Sequence, residues 1–443
     1  MKDLIAVFGA ILAIGAAILL NVSLLVGFVA AILWVAALFY GTKFSLWPEV
    51  KKYVQLYGII LLIGASVSAW LISGIVQTFT YYGIRFLHPS FILPLIFLMT
   101  AVVGYFMGTA VGTISTLGIA VIGVGVAFGI PAPYLVAAAV SGAFISDKLS
   151  PLSGLLNLTI ATSGSSYKAL VKKMLATILP VVGITTVLYG LLGFTINART
   201  GVVNERGLIA LLETHYVVHP LLFLVPVGIV ILALMGRPTL QILLAGVAGG
   251  GLIGITVAGH DLLWVLNAII FGYQDPTGVR QLQGLFRSGG VVGMVEVLFI
   301  VMAAIVLAAC LEQSGVTTRL IQRYIKPQDK ASTLVAKTGI LSMVLTILTC
   351  DQTVGIVMPL KSVEAHAKDK GLSPEVLART VSDTGTIIAP LMPWNVNGLI
   401  ILSVTGISAV AYAPYAFLCW LMPLTLVAVV AKMNRTQEVP DYV

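Results

Sequence analysis

From Leu4 to Tyr40 almost no position is polar, about twice the ~20 residues that one bilayer-crossing helix needs. The polar step Asn21-Val22-Ser23 divides this run, which reads as two helices meeting there. Lys43, Lys51 and Lys52 follow, then a span from about 54 to 77, then Arg85, His88 and Pro89. The next apolar run, 91–130, is interrupted by GTAVGTIST, from Gly108 to Thr116. It reads as a re-entrant hairpin. Beyond Pro131 and Pro133, SDKLSPLSGLLN (Ser146 to Asn157) sits in an apolar stretch over 134–165. An acid followed by a Pro-Leu step there predicts a broken helix. A further span runs to about residue 194. Two spans follow, and Asp261 to Tyr273 is too short to cross at 1.5 Å per residue, so it is placed at the membrane surface.

The second half repeats the order. A span over 291–311 leads through a basic segment to a second hairpin near 338–365, interrupted by CDQTVG (Cys350 to Gly355). A second broken element near 375–404 carries SDTGTIIAPLMPWNVNG, from Ser382 to Gly398, and a last span ends at Lys432. The pattern predicts an all-α polytopic membrane protein with about ten transmembrane spans, two re-entrant hairpins and two broken helices. Its parts are a helix pair (1–53), a first repeat (54–195), a connecting segment (196–289) and a second repeat (290–443).

Composition agrees: of 443 residues 59% are hydrophobic and 9% charged, against roughly a quarter charged in soluble domains. The net charge of +8 sits in short loops, which is an orientation signal rather than a nucleic-acid footprint. With both termini cytoplasmic, Lys43, Lys51, Lys52, Lys168, Lys172, Lys173, Arg237, the basic segment before Gly339 (Arg319 to Lys337), the HAKDKG loop, Lys432 and Arg435 fall inside. Arg85, Arg199, Arg206, Arg280 and Arg287 remain outside. Equivalent loops of the two halves then face opposite sides, so the repeat is inverted. Cys310, Cys350 and Cys419 have no metal-ligand spacing and read as small buried side chains. No cofactor is implied, the surroundings are the lipid bilayer, and a homodimer is a further expectation.

Intramembrane carboxylates cost at least about 2.5–3.5 kcal/mol each, so they call for partners and a function. Asp147, Glu296, Asp351 and Asp383 are the candidates. Asp351 at a hairpin tip and Asp383 in a break are expected to converge with Thr353, Thr386 and Asn395 on an all-oxygen site. Such a site suits Na⁺, held by Asp351, Asp383 and Asn395, or protons. Helix capping is the alternative role for these acids. Asp147 and Asn157 extend the ion site into the first half. Asp147 adjoins Lys148 and reads as its internal ion-pair partner; otherwise Lys148 faces an anionic solute. A solute site is assigned to Lys148, Ser150 and Ser153, the first hairpin tip (Gly108, Thr109, Gly112, Thr113), Gln352 and Thr384.

At GTAVGTIST, GAFISDKLSPLSGLLNL, CDQTVGIVMP and SDTGTIIAPLMPWN the sequence resembles the NhaC-type Na⁺/H⁺ antiporter family. The second-half match, with Asp351-Gln352, Asp383 and the run from Pro390 to Asn395, is the specific part. The resemblance implies cation-coupled antiport across a bacterial or archaeal inner membrane, with Na⁺ and H⁺ as coupling ions. It also implies an alternative, Na⁺- or H⁺-coupled carriage of a small organic acid such as malate or lactate, or of an amino acid. After Pro-Leu-Ser the family usually continues with an Asp, where this chain has Gly154, Leu155 and Leu156. No metalloprotease motif or serine elbow points to an enzyme.

Overall fold

The computed structural model describes residues 2–200, 205–279 and 286–436, and the regular elements among them are helices. Arg280, assigned above to the outer side, lies outside the described residues. Among the described residues nine helices are long and apolar enough to cross a membrane, or up to twelve if each bent pair is one span. The chain is therefore a multi-pass membrane protein.

The opening run divides as expected. Helix α1 (Lys2–Leu19) stops before Asn21, whose φ of 55° few residues adopt. Ser23 then starts α2 (Leu24–Leu38) by accepting the Leu25 amide. Helix α3 (Val54–Ile72) is shorter than the sequence suggests. Gly74, at φ 77°, turns the chain there, and a separate helix runs Ile75–Phe86.

The two halves share their local structure. In the first, α4 (Ile92–Met107) ends on left-handed Gly108, and extended Thr109 caps the next turn by accepting the Gly112 amide. The chain continues through α5 (Ile119–Ala127) to α6 (Ala132–Ala143). It breaks at Ser150-Pro151-Leu152, and Ser153 caps α7 (Gly154–Ser163), which ends on left-handed Gly164. Helix α8 (Tyr167–Thr200) closes the half, and α9 (Thr239–Thr256) and α10 (Val295–Gln313) lead to the second. The stretch placed at the surface forms only the helix Leu262–Phe271.

In the second half α11 (Ala331–Thr349) ends on left-handed Cys350, and extended Asp351 caps α12 (Gln352–Asp369) through the Thr353 amide. Helix α13 (Pro374–Val381) runs into a wide π-turn, Ser382–Thr386. Asn395 caps α14 (Val396–Thr405), which ends on left-handed Gly406, and α15 (Phe417–Thr436) completes the chain. The bend between Pro374–Leu391 and Val396–Thr405 is 43°. Gly108-Thr109 thus answers Cys350-Asp351, and Ser153…Gly164 answers Asn395…Gly406. Each break follows from proline. Pro390 has no amide to give Thr386 four residues back, and Gln352 Nε2 donates to that carbonyl instead, at 2.6 Å.

Helices α1, α2 and α10 pack together, α3 packs on α9, and α11, α12 and α13 pack together with α7 and α15 against them. Contacts place three predicted cytoplasmic segments on one side. Arg319 forks onto Asp3 at 2.7–3.2 Å, and the Gln313 amide exchanges hydrogen bonds with the Ser45 backbone at 2.8 and 3.0 Å.

Candidate functional site

Asp351 is built into the site by its capping role. Its Oδ1 accepts the Thr353 amide at 3.0 Å, which fixes the carboxylate at the α11–α12 tip. Its Oδ2 accepts the Tyr53 hydroxyl at 3.0 Å. Capping and site readings therefore meet in one residue. Around it is a cavity of about 200 Å³ lined by Tyr53, Thr109, Gly112, Thr349, Gln352 and Asn397 among others. A second cavity, of about 550 Å³, shares Thr109, Gln352 and Asn397 and reaches Asp147, Thr353, Gly154 and Arg237.

The first hairpin tip supplies the opposite wall. Gly108 lies so close to Leu152 that a Cβ would come within 2.5 Å of it. The Thr113 hydroxyl is spent on the Thr109 carbonyl at 2.8 Å, so of the two threonines only Thr109 lines the cavities. Asp147 is buried and lines the second cavity. No basic side chain pairs with it among the described residues.

Lys148 is instead fully buried against Asp383, with Ser382 Oγ at 3.4 Å. This corrects the expected Asp147–Lys148 pair. Neighbours in a helical turn point about 100° apart, so Lys148 reaches the other half while Asp147 faces the cavity. Arg379, one turn before Asp383, brings Nε to 3.8 Å from the second carboxylate oxygen. Asp383 is thus engaged by two cations and does not line the cavity with Asp351.

Asn395 is also absent from that lining. Its Oδ1 accepts the Asn397 amide at 3.0 Å and its Nδ2 reaches the Thr346 carbonyl at 3.4 Å. Of the predicted trio Asp351, Asp383 and Asn395, only Asp351 lines this cavity. Thr386 contributes its carbonyl to Gln352, and Thr384 returns its hydroxyl to the Thr380 carbonyl. Ser150 and Ser153 cap the first break, accepting the Leu152 and Leu156 amides. Asn157 donates to the Pro151 carbonyl at 3.1 Å, and Glu296 accepts the Ser23 hydroxyl at 2.6 Å.

Three residues escaped the sequence reading. Asn397 donates to Gln352 Oε1 at 3.0 Å and lines both cavities; an Asn two residues past the cap was its signal. Arg379 stands four residues before Asp383, a spacing that puts both on one helix face. Tyr53 carried no signal, since an aromatic beside lysines at a span's end is ordinary interfacial composition.

The model of the Na⁺/H⁺ antiporter family matches residues 147–431. The chain belongs to this family. The antiporter is 29% identical over 366 residues to the Na⁺/H⁺ antiporter NhaC of Alkalihalophilus pseudofirmus, covering 82% of this chain and 79% of that protein. It is 28% identical over 361 residues to the malate-2H⁺/Na⁺-lactate antiporter of Bacillus subtilis, covering 81% and 77%. To the arginine/ornithine antiporter ArcD of Halobacterium salinarum it is 31% identical over 380 residues, covering 83% and 77%. The resemblance carried by the four motifs agrees with the family match, which takes in Asp147, Asp351 and Asp383 but neither Thr109 nor Tyr53.

Proposed function

We propose that the antiporter exchanges Na⁺ for H⁺ by alternating access, with Asp351 as the carboxylate that takes the cation. The observation that carries this reading is the composition of the Asp351 cavity. Thr109, Thr349, Gln352 and Asn397 line it, no Lys or Arg does, and the lysine nearest in sequence to the cavity acids is held by Asp383. A hard monovalent cation prefers such an oxygen set. Asp147 in the adjoining cavity supplies a second carboxylate, for the proton or a second cation.

The termini face the cytoplasm in this reading, and so do both cavities, because Tyr53 and Arg237 border them near predicted cytoplasmic loops. The organic-anion alternative relied on Lys148 facing the cargo, and Lys148 does not line either cavity.

Purified protein in liposomes holding Na⁺ and no organic solute tests the reading. An imposed Na⁺ gradient should drive opposite proton movement, and Asp351→Asn, which still caps α12, should abolish it. Na⁺ movement only when malate, lactate or an amino acid is added would replace this reading with the alternative.

A further inference from the structure

A carrier that exchanges one ion for another must not reorient with its site free of both, or it leaks. Something must therefore hold the site in place until an ion arrives, and that hold must compete with the ion. One contact in the antiporter has this character. Tyr53, at the start of α3, donates its hydroxyl to Asp351 Oδ2 at 3.0 Å, and Asp351 sits at the α11–α12 tip, 298 residues away. The other oxygen of the same carboxylate is committed to the Thr353 amide. Tyr53 thus occupies the one carboxylate oxygen free of the helix cap, and it lines the same cavity as Thr109, Gln352 and Asn397.

The two partners sit on elements whose main packing partners differ, although α10 touches both. Helix α3 packs on α9 and the helix Leu262–Phe271, whereas the α11–α12 hairpin packs with α13, α15 and the α7 half-helix. The Tyr53–Asp351 bond links α3 to the α11–α12 tip at the site itself. Resting on the assignment of the cation to Asp351, we infer that Tyr53 is a positioning residue of the cation site that makes exchange obligatory. While Asp351 is charged and without its ion, the phenol pins the hairpin tip to α3. A cation at Oδ2, or a proton on it, takes the lone pairs that accept the phenol's hydrogen and so releases the tip. Each ligand shifts the equilibrium only through this differential contact.

Tyr53→Phe removes the hydroxyl and keeps the ring. In liposomes under an imposed Na⁺ gradient, wild-type protein should return protons in fixed proportion to the Na⁺ that moves, while Tyr53→Phe should leak Na⁺ with few protons returned per ion. Freed of its competitor, the site should also fill with ²²Na⁺ at about three- to tenfold lower concentration, the range of one hydrogen bond's ordinary net contribution. That binding is read on detergent-purified protein, so it decides the matter even if the variant transports poorly. An unchanged H⁺/Na⁺ ratio together with unchanged ²²Na⁺ affinity overturns the inference. Retention of ²²Na⁺ binding by Asp351→Asn overturns the assignment beneath it, a separate result.

Discussion

Lys148 and Asp383 meet across the two halves of the fold, each carried by the interrupted element of its own half, with both side chains buried. Arg379 adds a second buried cation to the same carboxylate. Removing the acid therefore leaves two positive charges uncompensated. Asp383→Asn should lower unfolding stability by about 3–5 kcal/mol, the usual cost of breaking a buried pair from one side. Lys148→Met combined with Asp383→Leu should recover part of that loss, Arg379 remaining alone. Thermal unfolding of the purified variants in detergent checks both, and a stable Asp383→Asn would mean that water reaches the cluster.

Gly154 stands where the resemblance to the family leads one to expect an acid, and nothing lies within 4 Å of where its Cβ would be. The position lines the cavity that holds Asp147. Gly154→Asp should fit without displacing a neighbour and add a carboxylate to the cation's surroundings. We expect ²²Na⁺ affinity to rise about tenfold, or about 1.4 kcal/mol, well within what a nearby charge supplies at an effective dielectric of 20. Gly154→Asn should leave affinity near wild type, separating charge from shape.

Much of this was legible in sequence because proline, glycine and polar caps act locally. Asn21, Ser23, Pro151 and Pro390 interrupt the chain where residue type alone says they must, and the repeated order of elements shows which interruptions correspond. Side-chain pairing was not legible. Asp147 and Lys148 are neighbours in sequence, yet the helical turn separates them, and the partner of Lys148 lies 235 residues away. Asp351 and Asp383 looked equivalent as intramembrane acids. What distinguishes them is Arg379 and Lys148 at one and Tyr53 at the other, and those contacts are set by packing between elements. Gly74 ended α3 early because a single left-handed glycine outweighs the hydropathy of the residues around it.

A pH effect is expected at the loop that precedes α11. Asp329 accepts from Lys337 Nζ at 2.7 and 2.9 Å and from the Lys326 amide at 2.9 Å. The Lys337 hydrogen bond, then that of the Lys326 amide, holds its carboxyl below the ordinary value of 3.8. A depressed folded value means that the contribution is complete above 3.8 and is lost as pH falls through the folded value. Stability should therefore decline on acidification below about pH 4, and Asp329→Asn should flatten that decline. Unfolding midpoints measured from pH 6 downwards check this, and parallel curves for the two proteins would remove Asp329 from the account.

The orientation and the direction of opening are tested together by one pair of cysteines. The cavity of about 550 Å³ runs from Gly154 to Gly236, Arg237 and Pro238, and loop charge assigns Arg237 to the cytoplasm. A separate recess of about 840 Å³ is lined by Asp275, Arg287, Thr405, Gly406 and Ile407, and loop charge assigns Arg287 to the outside. Native Cys310, Cys350 and Cys419 are buried and unpaired, so background labelling by a bulky, membrane-impermeant maleimide should be low. Gly154→Cys should react in inverted vesicles and not in intact cells, and Na⁺ should slow the reaction if the ion sits nearby. Ile407→Cys should show the reverse, reacting in intact cells. Gly154 starts α7 and Ile407 lies just past the end of α14, its counterpart in the repeat, so inversion predicts opposite accessibility. Labelling of both from one side would refute the inverted arrangement, and exchange of the two results would turn the whole assembly over in the membrane.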